Sequence, residues 1–302
     1  MELYLITGFL GAGKTTLIKN IRQALRDKRT YLIINEFGKE GIDGALLKEL
    51  GSTIAEINNG SIFCVCRLDK FEDSLDEAVH EQPDLILVEA SGLSDPTNIR
   101  KIMAQAKYAG IVYRGAMCLV DAPRLAKVAD TALVVRKQLS VSSLVLVNKT
   151  DLATAEQLEM AQRTINEINP QAEIVQTRYA QIAPETILSI QQKEYDDEAS
   201  TMRDITLQKY LLTISGTMSI QQLESFLKMI ADDSYRIKGF VRLEGKLLLV
   251  DCVGSFVDVY QYDGDSVGEV NKIVVLAGKG MPTRKSIKNA MQWYQGSVLK
   301  ME

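Results

Sequence analysis

The sequence predicts an α/β fold, with a mostly parallel sheet covered by helices, followed by a smaller α+β domain. Three observations carry that expectation. Apolar runs alternate with longer helical-period segments, a charge-dense stretch then breaks the pattern, and after it strands follow one another across short turns.

In the first part, "LYLIT", "TYLIIN", "DLILVEA", "GAMCLV" and "SLVLVN" are near-continuously apolar, as strands buried on both faces must be. Between them lie candidate helices at Thr15 to Asp27, Leu68 to Glu81 and Asn98 to Tyr108. Such alternation places the loops at the strand C-terminal ends along one edge, where ligands bind. Residues 191–204, "QQKEYDDEASTMRD", read as a linker, which sets domain bounds of 1–190 and 205–302. Beyond it come a strand in "ITLQKYLLTI" and a helix in "SIQQLESFLKMIADD" capped by Ser219. The strands "YRIKGFVRL", "GKLLLVDCV", "SFVDVYQY" and "KIVVLAG" follow, and then a last helix from about Pro282 to Tyr294. Short turns between consecutive strands imply antiparallel pairing.

Length allows one large or two moderate domains, since 302 residues exceed one typical domain of about 100–200. A net charge of −4 gives no electrostatic footprint for a phosphate backbone or an anionic lipid surface, so neither nucleic acid nor membrane is expected as the main partner. Four cysteines in such a chain point to a reducing compartment. The start, "MELYLITGFLGAGKTT", has no basic leader, and no apolar run nears the roughly 20 residues a bilayer span needs. The cytoplasm is the expected location.

The segment "GFLGAGKTT", Gly8 to Thr16, fits G-x-x-x-x-G-K-[ST] between a strand and a helix, as a phosphate-binding loop requires. Gly8, Gly11, Ala12 and Gly13 let backbone N–H groups turn toward the phosphates, Lys14 brings a point charge, and the helix N-terminus adds its dipole. Thr15 offers a hydroxyl to Mg²⁺, with Thr16 beside it. This makes the first domain a P-loop NTPase candidate. "DLILVEASG" then ends a strand in Glu89, where such proteins hold an acid for the Mg²⁺ shell, and Gly92 can bring a backbone N–H to the γ-phosphate. Ser91 to Asp95 is therefore a candidate switch.

The run "SLVLVNKTDL" places Asn148, Lys149 and Asp151 after the fifth apolar strand. Guanine offers two adjacent donors that one carboxylate can accept together, a role that suits Asp151. Asn148 can brace neighbouring loops, and the aliphatic stem of Lys149 can cover the ring face. GTP with Mg²⁺ is the expected ligand pair.

With these elements in order, the chain resembles the CobW-like family of P-loop GTPases, relatives of the nickel-insertion GTPases HypB and UreG. "NEFGKEGID" at Asn35 to Asp43 resembles the family's switch segment, "EASGLSDP" its E-x-S-G-x-x-x-P, and "RIKGFV" at Arg236 the opening of its C-terminal domain. The resemblance implies a GTPase of weak intrinsic turnover that delivers or inserts a metal, or supports a metal cofactor such as cobalamin, for a client metalloprotein or cofactor-dependent enzyme. The protein is expected to be a monomer or a nucleotide-dependent homodimer.

The family carries G-C-x-C-C after its switch segment, and this chain has "GSIFCVC" from Gly60. Aligned on that glycine, Ser61 and Phe63 replace two cysteines, Cys64 keeps a family position, and Cys66 lies two residues beyond the motif. In an extended segment Cys64 and Cys66 point the same way, so both thiolates can face one ion. A tetrahedral zinc site needs four ligands, so Glu36, water or a partner must contribute; the pair reads either as part of a Zn²⁺ or Co²⁺ site of that kind or as small apolar fillers or a redox-sensitive pair. Cys118 and Cys252 sit in apolar strands and read as core packing, and His80, the sole histidine, reads as a surface residue. No glutamine follows Gly92, so Glu36 and Asp43 are the candidates for orienting water, beside Lys14 and Glu89 in the catalytic set. Two alternatives remain open: a GTP-switched assembly or reactivation factor for a corrinoid or other metalloenzyme that binds no transition metal itself, and a small-molecule kinase.

Overall fold

The computed structural model describes residues 1–36, 53–58, 68–193, 207–253, 257–262 and 269–302. The chain divides into two compact units, Met1–Arg203 and Asp204–Glu302.

The first unit is a seven-stranded sheet, ordered β3-β2-β4-β1-β5-β6-β7, in which every pairing is parallel. Its strands are β1 (Glu2–Gly8), β2 (Thr30–Glu36), β3 (Thr53–Asn58), β4 (Leu85–Glu89), β5 (Val112–Asp121), β6 (Ser142–Asn148) and β7 (Glu173–Gln176). The helices are α1 (Lys14–Ala24), α2 (Leu68–Glu81), α3 (Ile99–Met103), α4 (Leu125–Thr131), α5 (Leu133–Ser140), α6 (Ala155–Ile168) and α7 (Pro184–Leu188). Two apolar clusters cover the two faces of the sheet. One holds Leu3, Leu5, Ile33, Phe71 and Leu75, the other Tyr4, Ile6, Leu17, Ile21 and Leu146. Alternate residues of β1 divide between them, as the two-residue strand period requires.

All five apolar runs are strands, and the central ones, β1, β4 and β6, are buried almost throughout. Two further runs, "TIAEIN" and "EIVQ", form the two edge strands, which meet a neighbour on one side only and so carry polar residues. The segment Asn98 to Tyr108 is not one helix. It is the short α3, a break at Gln105 with ψ 138°, and a 3₁₀ turn at Ala106–Tyr108. Glu72 of α2 holds this break, accepting from Gln105 Nε2 at 2.9 Å and, through its backbone carbonyl, from Tyr108 OH at 3.3 Å.

The second unit is a six-stranded sheet in which every pairing is antiparallel, ordered β11-β10-β9-β12-β8-β13. Its elements are β8 (Leu207–Ile214), α8 (Ile220–Ala231), β9 (Arg236–Leu243), β10 (Lys246–Val253), β11 (Val259–Gln261), β12 (Lys272–Gly278), α9 (Thr283–Trp293) and β13 (Val298–Met301). Ser219 caps α8 in a reciprocal capping box with Gln222. Glu244 and Gly245, with φ 50° and 77°, make the two-residue turn joining β9 to β10. Both helices contribute to one core, where Phe226, Leu227, Ile230, Ile287 and Ala290 meet Ile237, Val250 and Ile273 of the sheet.

In the "RIKGF" stretch, Arg236 pairs with Asp251 across the β9–β10 ladder at 3.1 Å. A Cβ at Gly239 would sit 2.1 Å from the Lys272 carbonyl oxygen on β12, so this glycine is a close-packing requirement of the sheet. We expect Gly239→Ala to destabilise the second unit by about 1–3 kcal/mol, the usual cost of overpacking, as a lower midpoint in urea unfolding followed there.

Candidate nucleotide-binding site

The C-terminal ends of β1, β4, β5 and β6 bring their following loops to one edge of the sheet. β1 ends at Gly8, the loop turns through Gly11 and Gly13, and α1 begins at Lys14. Gly13 is the left-handed N-cap, φ 109°, and a Cβ there would lie 2.7 Å from Asn148 Nδ2. Lys14 is buried, with its Nζ donating to the carbonyls of Gly8 at 3.0 Å and Phe9 at 3.3 Å. Thr15 and Thr16 occupy the first turn of α1, so their hydroxyls and the N–H groups of that turn belong to the same helix end.

Glu89 closes β4 between β1 and β2 and is 8% exposed. The loop after it is held from three directions. Asn35, near the end of β2, donates to Ile57 O at 3.0 Å and accepts from Ser91 N and Ser94 Oγ, both at 3.4 Å. Gln138 of α5 donates to the carbonyls of Gly92 at 3.2 Å and Ser94 at 3.1 Å. Lys137 pairs with Asp95 at 2.6 Å, and Asp95 also accepts from Thr97 N and Oγ1. Gly92 lies against the phosphate loop, where a Cβ would stand 2.8 Å from Leu10 N.

Asn148 closes β6. It is buried, donates through Nδ2 to Ala12 O at 2.8 Å, and accepts from Ala180 N at 2.9 Å. Lys149, with φ 61°, bonds Asp121 Oδ2 at 2.7 Å, which fixes its stem at the end of β5. Asp151 is exposed in the 3₁₀ turn that follows. Sequence reasoning missed the segment 177–181. Thr177 O accepts from Thr150 Oγ1 at 3.1 Å, and Asn20 Nδ2 of α1 donates at 2.8 Å to the carbonyls of Tyr179 and Ala180. Tyr179 and Ala180 are both left-handed, φ 52° and 53°, a costly conformation for residues other than glycine, and Tyr179 is 71% exposed. The only sequence signal for it was a weak one, its place after a short polar strand.

Glu36 is the last residue of β2, and its backbone pairs with Asn58 of β3. Its side chain lies outside the described residues, as do Asp43, Cys64 and Cys66. Among the described residues no group of three or more His, Cys, Asp or Glu side chains can hold a metal ion. Cys118 and Cys252 are buried, and burial pushes their thiols up to about 12 and about 11. Such thiols pack the core and do not ligate. His80 is exposed near the end of α2. No helix among the described residues is long and apolar enough to cross a membrane.

A parallel sheet with a glycine loop capping the helix after its central strand, an acid closing the neighbouring strand and a braced Asn-Lys-Thr-Asp turn define a P-loop nucleotide-binding protein. The profile described as "CobW/HypB/UreG, nucleotide-binding domain" matches residues 2–176, and "Cobalamin synthesis protein cobW C-terminal domain" matches residues 207–292. The chain belongs to this family of P-loop GTPases. It is 29% identical to a zinc chaperone CobW of Sinorhizobium over 85% of this chain and 86% of that one. It is 36% identical to the zinc chaperone YeiR of Escherichia coli over 53% of this chain and 49% of that one. Among solved structures, the Zn(II)-bound YjiA GTPase of E. coli aligns over 97% of this chain and 98% of that one, with 19% identity and a TM-score of 0.49.

Two outcomes are expected. In a Cys64→Ser/Cys66→Ser variant at pH 8, no thiol should react with Ellman's reagent in the native state and two should react in guanidinium, because the thiolate is the nucleophile. The same raised thiols make stability fall with pH. Unfolded cysteines ionise near pH 8.5 while the folded ones stay neutral until about 11 or 12, so stabilisation present below about pH 8.5 is lost progressively above it. Urea midpoints at pH 7 and pH 10, with and without Cys118→Ala and Cys252→Ala, check this.

Proposed function

We propose that this protein binds and hydrolyses GTP and uses the cycle to deliver a metal ion or metal-containing cofactor to a client metalloprotein. The observation that carries the reading is Asn148, which joins the phosphate loop to the segment at 177–181 while Asp151 stands exposed beside it. A guanine base presented there has its N1–H and exocyclic amine within the chemistry of one carboxylate.

The oxygen donors Thr15 and Glu89 form a hard set that would hold Mg²⁺, which would supply charge neutralisation for the phosphates. The chain's own part is positioning. Lys14 moves its ammonium from the carbonyls of Gly8 and Phe9 to the phosphates, and N–H groups of the loop and of Gly92 hold the γ group. Glu36 and Asp43 orient the attacking water. With leucine after Gly92, slow turnover in the absence of a client is the expectation.

The cargo is Zn²⁺ or Co²⁺, taken by Cys64 and Cys66 with Glu36 as a further ligand. Pairing of Glu36 with Asn58 supports this, because it starts the cysteine segment beside that glutamate. Asn35, one residue earlier, bonds the loop after Glu89, so metal affinity follows nucleotide state. The cytoplasm is the site of action, and the protein works as a monomer or as a nucleotide-dependent homodimer. A second reading, a GTP-switched assembly or reactivation factor that carries no transition metal, is favoured by the sequence offering only two cysteines in that segment.

Lys14→Ala should lower GTP hydrolysis by about 100-fold or more. Asp151→Asn should weaken GTP by at least about 100-fold and favour xanthosine triphosphate, whose oxygen at position 2 matches the new amide donor. Hydrolysis measured across Zn²⁺, Co²⁺ and Ni²⁺ should respond to metal in the parent and not in Cys64→Ser/Cys66→Ser. An identical response in both removes the cysteines and leaves the second reading.

A further inference from the structure

Beside the phosphate loop lies a small, partly open cavity of about 20 Å³, enough for a water molecule. Its walls come from Leu10 and Ala12 of the loop, Asp121 at the end of β5, Leu125 of α4 and Gln138 of α5. Most of this lining is apolar, yet two of its side chains carry buried oxygens without a hydrogen-bond partner, Asp121 Oδ1 and Gln138 Oε1.

Neither oxygen can turn away. Gln138 is fully buried, and its Nε2 donates to the carbonyls of Gly92 and Ser94, so a flipped amide would set oxygen against two carbonyl oxygens. Asp121 is fixed by Lys149 Nζ at 2.7 Å from its other oxygen, Oδ2. Two buried acceptors that cannot bond each other, on residues lining one small cavity, are matched by a small donor of two hydrogens. Water fits that description. A metal cation does not, because it requires more oxygen ligands than this wall supplies.

We propose that one buried water bridges Asp121 Oδ1 and Gln138 Oε1, completing a relay from Lys149 through Asp121, the water and Gln138 to the carbonyls of Gly92 and Ser94. The relay joins the loop that meets the base to the loop that meets the γ-phosphate. Gln138 is then a positioning residue, acting through Gly92, whose Cα already lies against Leu10 of the phosphate loop. Coupling of this kind is reciprocal, so a change at the base end must alter discrimination at the phosphate end. The functional half of the proposal rests on the guanine-nucleotide reading above; the water does not.

The test has two arms. A crystal structure that resolves ordered waters should show a buried peak within hydrogen-bond distance of both oxygens, and a dry cavity overturns the proposal. In the second arm, GTP and GDP affinities are measured by fluorescence titration for the parent, Asp121→Asn, Gln138→Met and the double variant. Gln138→Met should weaken GTP several-fold more than GDP. Asp121→Asn, although it lies on the base side, should shift the GTP-to-GDP ratio in the same direction, and the double variant should shift it no further. Equal weakening of both nucleotides by Asp121→Asn, or simple addition of the two effects, overturns the relay. If the parent binds neither nucleotide, the GTP reading fails, and the crystallographic peak alone decides whether the water is there. The same peak decides it should Gln138→Met not fold.

Discussion

The ligand edge of the first unit depends on one side-chain amide. Asn148 is buried, and both its donor and its acceptor are committed, to Ala12 O on the phosphate loop and Ala180 N on the segment 177–181. A buried amide that lost either bond would leave an unpaired polar group, costing about 1–3 kcal/mol, so the loops are held in register by the expense of separating them. The dependence runs outward. Gly13 can bear no side chain because the Asn148 amide occupies that space, and the strained pair Tyr179–Ala180 is held by Asn148 on one side and Asn20 on the other. A conformation unfavourable in isolation is thus sustained by bonds to two other elements.

Much of this was legible in the sequence because burial on both faces leaves a plain mark. The apolar runs of β1, β2, β4, β5 and β6 and the glycine–lysine loop are patterns that physics makes redundant. The rest was illegible for equally physical reasons. "TIAEIN" and "EIVQ" are edge strands, whose pairing on one side tolerates polar residues, so periodicity alone does not separate them from loops. Gln138 and Lys137 read as polar residues of an amphipathic helix. Only the fold reveals that they reach the carbonyls and carboxylate of a loop more than forty residues away in sequence. The helix expected through Tyr108 breaks because Glu72, a surface acid in the sequence, offers tertiary bonds that outweigh local propensity.

Cys118 and Cys252 fill core positions where burial disfavours the thiolate, and a thiolate is the form a metal requires. That leaves any thiol chemistry to the segment between β3 and α2, which carries Cys64 and Cys66. Cys64 follows Asn58, the last residue of β3, by six residues in sequence, a length of chain that spans at most about 20 Å.

The acid loop bears on how such a segment can sense nucleotide. Residues 91–97 are pinned by Asn35, Gln138 and Lys137, and Gly92 touches the phosphate loop. A loop so anchored does not swing alone: displacing Gly92 moves the donors of Gln138 and the acceptor of Asn35 together. Asn35 adjoins Glu36, and its amide also bonds Ile57, one residue before the end of β3. Any shift of that loop is therefore handed first to the β2–β3 edge through Asn35. A metal site built on that edge would feel the nucleotide through Asn35, with no need for the acid loop itself to reach it.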